Sequence, residues 1–97
     1  MILVERNEKS ILITGHALYN DFGKDIVCSA VSSIVITSIN GILSLDSKAI
    51  KYDNSKGIKI QILKEDLTTL KLIDNMMLLL KELSSKYPKN IKIKEGV

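Results

Sequence analysis

The 97-residue sequence contains one cysteine, Cys28, and one histidine, His16. A single cysteine excludes a disulfide framework within the chain, and one histidine with one cysteine is too few for a four-ligand zinc site. We therefore expect neither a metal nor another cofactor. The lack of paired cysteines is typical of a reducing compartment, so the protein is expected to be cytoplasmic with its thiol reduced.

Arginine and aromatic residues are also scarce. The net charge is +3, but Arg6 is the one arginine among 14 basic residues, and the chain has one Phe, three Tyr and no Trp. The lysines are spread along the chain, whereas a nucleic-acid surface usually combines clustered basic side chains with arginine and aromatic rings. The charge therefore indicates a solvated surface, and no direct nucleic-acid binding is expected.

Long uninterrupted apolar segments are missing as well. The first nine residues carry charge within five positions, which is not the pattern of a signal peptide. The most apolar stretch, Ile26 to Leu43, includes four serines, Asn40 and Gly41, and so predicts a buried helix rather than a membrane span. Apolar residues make up 45% of the chain, enough for the core of a single domain over residues 1–97.

Five short runs rich in β-branched residues predict strands. They are Ile2 to Arg6, Ser10 to Gly15, Ala49 to Asp53, Ile58 to Leu63, and a last run around Ile91 and Ile93. The breaks at residues 7–9 and 54–57 are typical of hairpin turns, so the first four strands are expected to form two antiparallel hairpins.

Two stretches with apolar residues at helical spacing predict helices. The first begins at Asp25 and is expected to end at Asn40-Gly41, although its β-branched run around Val35 locally favours a strand. The second is capped by Asp66 and ends before Pro88. The predicted fold is α+β, a mainly antiparallel sheet with two helices in the order β-β-α-β-β-α-β.

His16 and Cys28 are the residues that suggest chemistry. Cys28 falls in the first turn of the predicted helix, where the helix dipole favours a thiolate and unpaired amides can bind an oxyanion. His16, at the end of the second strand, would act as general base or as the imidazolium partner of the thiolate. A plain structural interpretation stands beside this one, because a cysteine on an apolar helix is usually a small buried residue.

The local sequence adds a specific resemblance. The segments Gly15-His16-Ala17 and Gly23-Lys24-Asp25-Ile26-Val27-Cys28, followed by Ser32, resemble the bacterial ribosomal-processing cysteine protease family. The family pattern is Gly-His-Ala, a variable loop, Gly-x-Asp-x-x-Cys, and a serine four residues after the cysteine. Every element is present at the family's spacing, and the resemblance covers nearly the whole chain.

This resemblance implies an activity and a partner. Members of the family remove a short N-terminal extension from a large-subunit ribosomal protein and cut after an aromatic residue. The resemblance also implies a homodimer. By the same resemblance, Cys28 is the nucleophile and His16 its base.

Three further residues near the pair have a functional and a structural interpretation each. Asp25 would orient His16 or cap the helix that carries Cys28, and the two roles are compatible. Ser32 lies one helical turn after Cys28, where it would hydrogen-bond near the site or serve as a small packing residue. Gly15 would let the backbone approach a substrate or supply an amide donor, or it is a plain strand-end glycine.

The predicted loop over residues 17–24 contains two aromatic side chains, Tyr19 and Phe22. They would form a lid over a bound peptide, with Gly23 as the hinge, or one ring would fill the core beneath the loop. Met76 and Met77 on the second helix are expected in the core or a subunit interface rather than in a peptide groove.

Two rival functions remain open at this point. A non-catalytic module that docks on ribosomal protein or RNA would also suit a small chain of charge +3. A thiol redox sensor is the weaker rival, because the chain has no second cysteine to resolve an oxidised thiol.

Overall fold

The computed structural model of the protein describes residues 1–15 and 26–96. Five strands and two helices follow one another in the order β-β-α-β-β-α-β, which confirms the predicted α+β fold. The strands are β1 (Ile2–Arg6), β2 (Ser10–Thr14), β3 (Ile50–Asp53), β4 (Ile58–Ile62) and β5 (Ile91–Glu95); the helices are α1 (Ile26–Leu45) and α2 (Leu67–Lys86).

The strands form one sheet in the order β3-β4-β2-β1-β5. The pairs β1–β2, β2–β4 and β3–β4 are antiparallel, whereas β5 returns parallel to β1 after α2. The sheet is therefore mainly antiparallel, as the hairpin signals predicted, with a parallel strand at one edge.

One face of the sheet supplies half of the hydrophobic core. Inward-facing residues alternate along the strands and are nearly inaccessible, among them Val4, Ile11 and Ile60 with no exposed surface. The helices cover this face with residues spaced three or four apart, namely Val27, Val31, Val35, Ile39 and Ile42 of α1 and Thr69, Ile73, Met76, Met77 and Leu80 of α2. Met76 and Met77 are thus core residues, as expected.

The end of α1 differs from the sequence-based prediction. Asn40-Gly41 does not end the helix, which continues to Leu45. The extra turn buries Ile42 to 2% exposure, and the Ile42 carbonyl accepts a hydrogen bond from the Asp46 amide. The core contact of Ile42 offsets the low helix propensity of a single glycine, which costs only about 1 kcal/mol.

The length and apolar composition of α1 alone would allow it to cross a membrane. The same test is passed by the core helix of a soluble protein, and five α1 side chains are buried in the core described above. One face of α1 thus packs in the core as predicted, while most of its residues are at least partly exposed.

Candidate active site

Cys28 is the third residue of α1 and lies in its first turn. Its side chain is half-buried and packs at the border of the hydrophobic core. Both features follow from the helical spacing, because Val27 and Val31 point into the core and Cys28 lies beside that row. The thiol is therefore anchored by packing without being sealed from solvent.

The thiol lines a cleft of about 220 Å³ between α1 and the sheet. One wall is formed by α1, through Cys28, Ser32 and Ile36, and the facing wall by the turn between β3 and β4. The floor belongs to the core and consists of Ile2, Ile13 and Val31. A concave site with an apolar floor and few polar groups is the usual form of a binding site.

The turn between β3 and β4 is held in one conformation by two features. The Asp53 carboxylate accepts hydrogen bonds from the Ser55 amide at 2.9 Å and the Ser55 hydroxyl at 3.2 Å, and these bonds lower the pKa of Asp53. Gly57 has a φ of +86°, and a Cβ at this position would lie 2.5 Å from the Ile13 carbonyl oxygen. The wall opposite Cys28 is therefore fixed against β2.

Gly15 also has a conformation that favours glycine. Its φ is +75°, and a Cβ here would overlap the carbonyl oxygen of Met1. The close approach that this glycine permits is between the end of β2 and the start of β1, within the protein itself. Any further role toward a substrate rests on its position immediately before His16.

The structure brings two of the predicted site residues together. Cys28 and Ser32 line the same cleft from successive turns of α1. His16, Asp25 and the loop residues Tyr19, Phe22 and Gly23 lie outside the described residues, so the predictions that concern them stay predictions.

Sequence reasoning missed the residues of the facing wall, Asn54, Gly57 and Ile58. The segment 54–57 was predicted as a hairpin turn, which it is, but nothing in the local pattern indicates that it faces a helix that starts more than 20 residues earlier. The signal that would have revealed it is the pairing of β4 with β2, which aligns Ile58 with Ile13. Within residues 1–15 and 26–96, no three His, Cys, Asp or Glu side chains converge on a point that could hold a metal ion.

A half-buried cysteine in the first turn of a helix, beside a cleft, suits a nucleophilic thiol. Comparison with known proteins defines the class further: a family model described as "Cysteine protease Prp" matches residues 1–92. The chain belongs to this family and is a cysteine protease.

The individual relatives are consistent with this membership. The chain is 30% identical over 88 residues to the ribosomal processing cysteine protease Prp of Staphylococcus aureus strain Mu50, covering 86% of this chain and 82% of that protein. It is 26% identical over 98 residues to the protein of the same name from Mycoplasma genitalium, covering 98% and 96%.

The fold is shared with a solved structure. The crystal structure of a ribosomal processing protease Prp from S. aureus, in complex with a covalently linked product peptide, superimposes with a TM-score of 0.86. The match covers 98% of this chain and 99% of that one, at 24% identity. With protease activity shown for the family, a purely non-catalytic docking module no longer explains the chain.

Proposed function

We propose that this protease removes a short N-terminal extension from a large-subunit ribosomal protein in the cytoplasm, using Cys28 as nucleophile and His16 as base. The observation that carries the proposal is that Cys28 opens on a cleft at the first turn of α1. The names of the relatives, which describe ribosomal processing, support the substrate class.

Cys28 is the nucleophile by elimination as well as by position. A cysteine protease needs a thiolate, and the chain has no other cysteine. The N-terminal end of a 20-residue helix carries partial positive charge, which stabilises the thiolate. The amide dipoles of this first turn point toward the same end of the helix, where they favour the oxyanion that forms on the attacked carbonyl.

His16 is supported by the course of β2. Ile13 of β2 lines the cleft together with Cys28, and the sequence places His16 three residues after Ile13. The strand that leads to the histidine therefore passes beneath the thiol. The chain has no other histidine to act as a base near neutral pH.

The reaction follows from these two groups. The Cys28 thiolate attacks the scissile carbonyl carbon, with the proton of the thiol held on the His16 imidazole. As the C–N bond breaks, the imidazolium donates its proton to the leaving amine, and a thioester links the peptide to Cys28. Water, deprotonated by His16, then hydrolyses the thioester and releases the carboxylate product.

Three neighbouring residues have supporting roles in this proposal. Ser32 lines the cleft one turn beyond Cys28, where its hydroxyl can bind the peptide backbone. Asp25 orients His16 or caps α1, and Gly15 lets the backbone approach the substrate or supplies an amide donor. Tyr19 and Phe22 would cover the bound peptide, with Gly23 as hinge.

The test is cleavage of a synthetic peptide that spans the N-terminal extension of the ribosomal protein, followed by mass spectrometry. We expect wild type to cut at one bond, and Cys28→Ala and His16→Ala to lose at least about a thousandfold in rate. Ser29→Ala is the matched control, because Ser29 is an exposed neighbour of Cys28 on α1. Wild-type activity in Cys28→Ala would disprove the assignment.

We also infer that the protein acts as a homodimer through the outer groove between α1 and α2. This groove measures about 510 Å³ and is lined by Ile34, Thr37 and Gly41 of α1 and by Leu72 and Leu79 of α2. Leu79 is 38% exposed there. A second copy laid against this face would remove this leucine from water.

A further inference from the structure

The cleft at Cys28 extends along α1 well beyond the thiol. Cys28, Ser32 and Ile36 are spaced four residues apart, so they lie in a row on one face of the helix. At a rise of about 1.5 Å per residue, Ile36 lies about 12 Å along the helix axis from Cys28. The cleft is therefore an elongated groove with the thiol at one end and an isoleucine at the other.

The far end of the groove is apolar and accessible. Ile36 is 40% exposed, although it is a large aliphatic residue on a helix whose Val35 is fully buried. Ile58 lines the facing wall and is half-buried. A ligand that covers this end would remove aliphatic surface from water, which stabilises a complex by roughly 25 cal/mol per Å².

The size of the groove limits what it can hold. Its volume of about 220 Å³ lies below the roughly 300–1,000 Å³ of a small-molecule site. An extended peptide advances about 3.3 Å per residue, so a peptide bond at Cys28 places a residue about three or four positions away beside Ile36.

We propose that Ile36 is a specificity-determining residue, which contacts an apolar substrate side chain about three or four positions from the scissile bond. This assignment rests on the proposed function, because it takes the peptide bond attacked by Cys28 as the origin. It adds a requirement on the substrate that is separate from recognition at the bond that is cut.

The test uses a set of extension peptides in which each residue within five positions of the cleaved bond is replaced singly by serine. We expect wild type to lose at least about tenfold in kcat/KM when the apolar residue about three or four positions away becomes serine, as one buried apolar group commonly contributes. Ile36→Ser should lose this discrimination at that position alone. Ile36→Ala should also lose most of this discrimination. Because alanine favours the helix, a loss in this variant cannot be attributed to misfolding.

Leu67→Ser is the matched control, because Leu67 is 72% exposed at the start of α2 and remote from the groove. It should keep every wild-type ratio. If Ile36→Ser also keeps every ratio, the assignment of Ile36 is wrong, while cleavage by wild type and its loss in Cys28→Ala would still support the proposed function.

A binding measurement tests the role of Ile36 independently of cleavage. In a Cys28→Ala background, fluorescence anisotropy should show that adding Ile36→Ser weakens binding of the unsubstituted peptide at least about fivefold and leaves the serine-substituted peptide unaffected. If wild type cleaves no extension peptide, the proposed function fails. If Cys28→Ala and the Cys28→Ala, Ile36→Ser double variant bind the unsubstituted peptide equally, the role of Ile36 is wrong as well.

Discussion

Cys28 lies where three parts of the chain that are distant in sequence converge: the first turn of α1, the floor at Ile13 of β2 and the turn between β3 and β4. Its side chain packs at the border of the hydrophobic core, and the cleft that it lines has the buried side chains of Ile2, Ile13 and Val31 as its floor. Of the three glycines with positive φ among the described residues, Gly15 and Gly57 lie at the ends of strands that border this region. Substitution of these glycines by alanine, which adds one methyl group, therefore tests the geometry around the thiol.

Gly57→Ala should destabilise the protein and slow peptide cleavage. The new methyl group would overlap the Ile13 carbonyl oxygen, a backbone atom held in the sheet. The positive φ at residue 57 adds backbone strain of about 1–3 kcal/mol for an alanine. Urea unfolding and kcat/KM on the extension peptide measure the two effects.

Gly96→Ala is the control that separates the steric overlap with Ile13 from the backbone strain of a positive φ. Gly96 has a similar φ of +80°, but a Cβ there would meet nothing within 4 Å. If both variants lose the same stability and keep the same activity, the fixed position of the β3–β4 turn has no bearing on catalysis.

At the scale of elements, local signals predicted the two helices and five strands with ends correct to a few residues. The β-branched run around Val35 is helical because Val35 and Ile39 are buried on one face, so the longer periodicity prevailed over local propensity. The continuation of α1 through Gly41 was missed, because the burial of Ile42 depends on the rest of the fold.

The cap of α2 is an element that local sequence predicted. Asp66 was predicted to cap α2, and its carboxylate accepts a hydrogen bond from the Thr69 amide at 2.9 Å. Hydrogen bonding by the Thr69 side chain and backbone lowers the pKa of Asp66 below its ordinary value of 3.8. The folded state therefore favours the charged form of this carboxyl.

Asp66→Asn should make the stability of the protein less sensitive to acid. A carboxyl whose pKa is lower when folded contributes its stability fully above the ordinary value, and loses it as the pH falls through the folded pKa. Asparagine keeps a capping oxygen but does not titrate, so the fall in Tm between about pH 5 and pH 2 should be smaller than in wild type.

The measurement is thermal unfolding followed by circular dichroism across this pH range. Asp74→Asn serves as the control, because Asp74 is an exposed carboxylate in the middle of α2 that pairs with Arg6 rather than with a helix end. An acid-induced loss in Asp66→Asn equal to that of wild type would contradict the role of the charged cap.

For the molecule as a whole, the sequence predicted the class of fold but not the arrangement of its strands. The order β3-β4-β2-β1-β5 depends on which hairpins meet, and the β2–β4 pairing joins residues 45 to 51 positions apart. The same limitation applies to the site. The thiol was identified from its position on a helix, whereas the facing wall at Asn54 and Gly57 follows from strand pairing alone.

Leu79→Lys should shift the protein from dimer to monomer. A lysine in the outer groove would place a charge where the second copy is proposed to exclude water, and desolvating an unpaired charge is costly. Analytical ultracentrifugation over a range of concentrations gives the mass. Leu67→Lys, at the start of α2 and outside the groove, should remain dimeric, and a monomeric wild type would remove the basis for the proposal.

The central claim is that Cys28 forms the bond with the substrate. The measurement that tests it most directly is rapid acid quenching of wild type during cleavage of the extension peptide, followed by peptide mapping in a mass spectrometer. We predict an acyl adduct on Cys28, with the mass of the N-terminal product less one water, and no adduct in Cys28→Ala. An adduct on any other residue, or turnover by Cys28→Ala at the wild-type rate, would contradict the account.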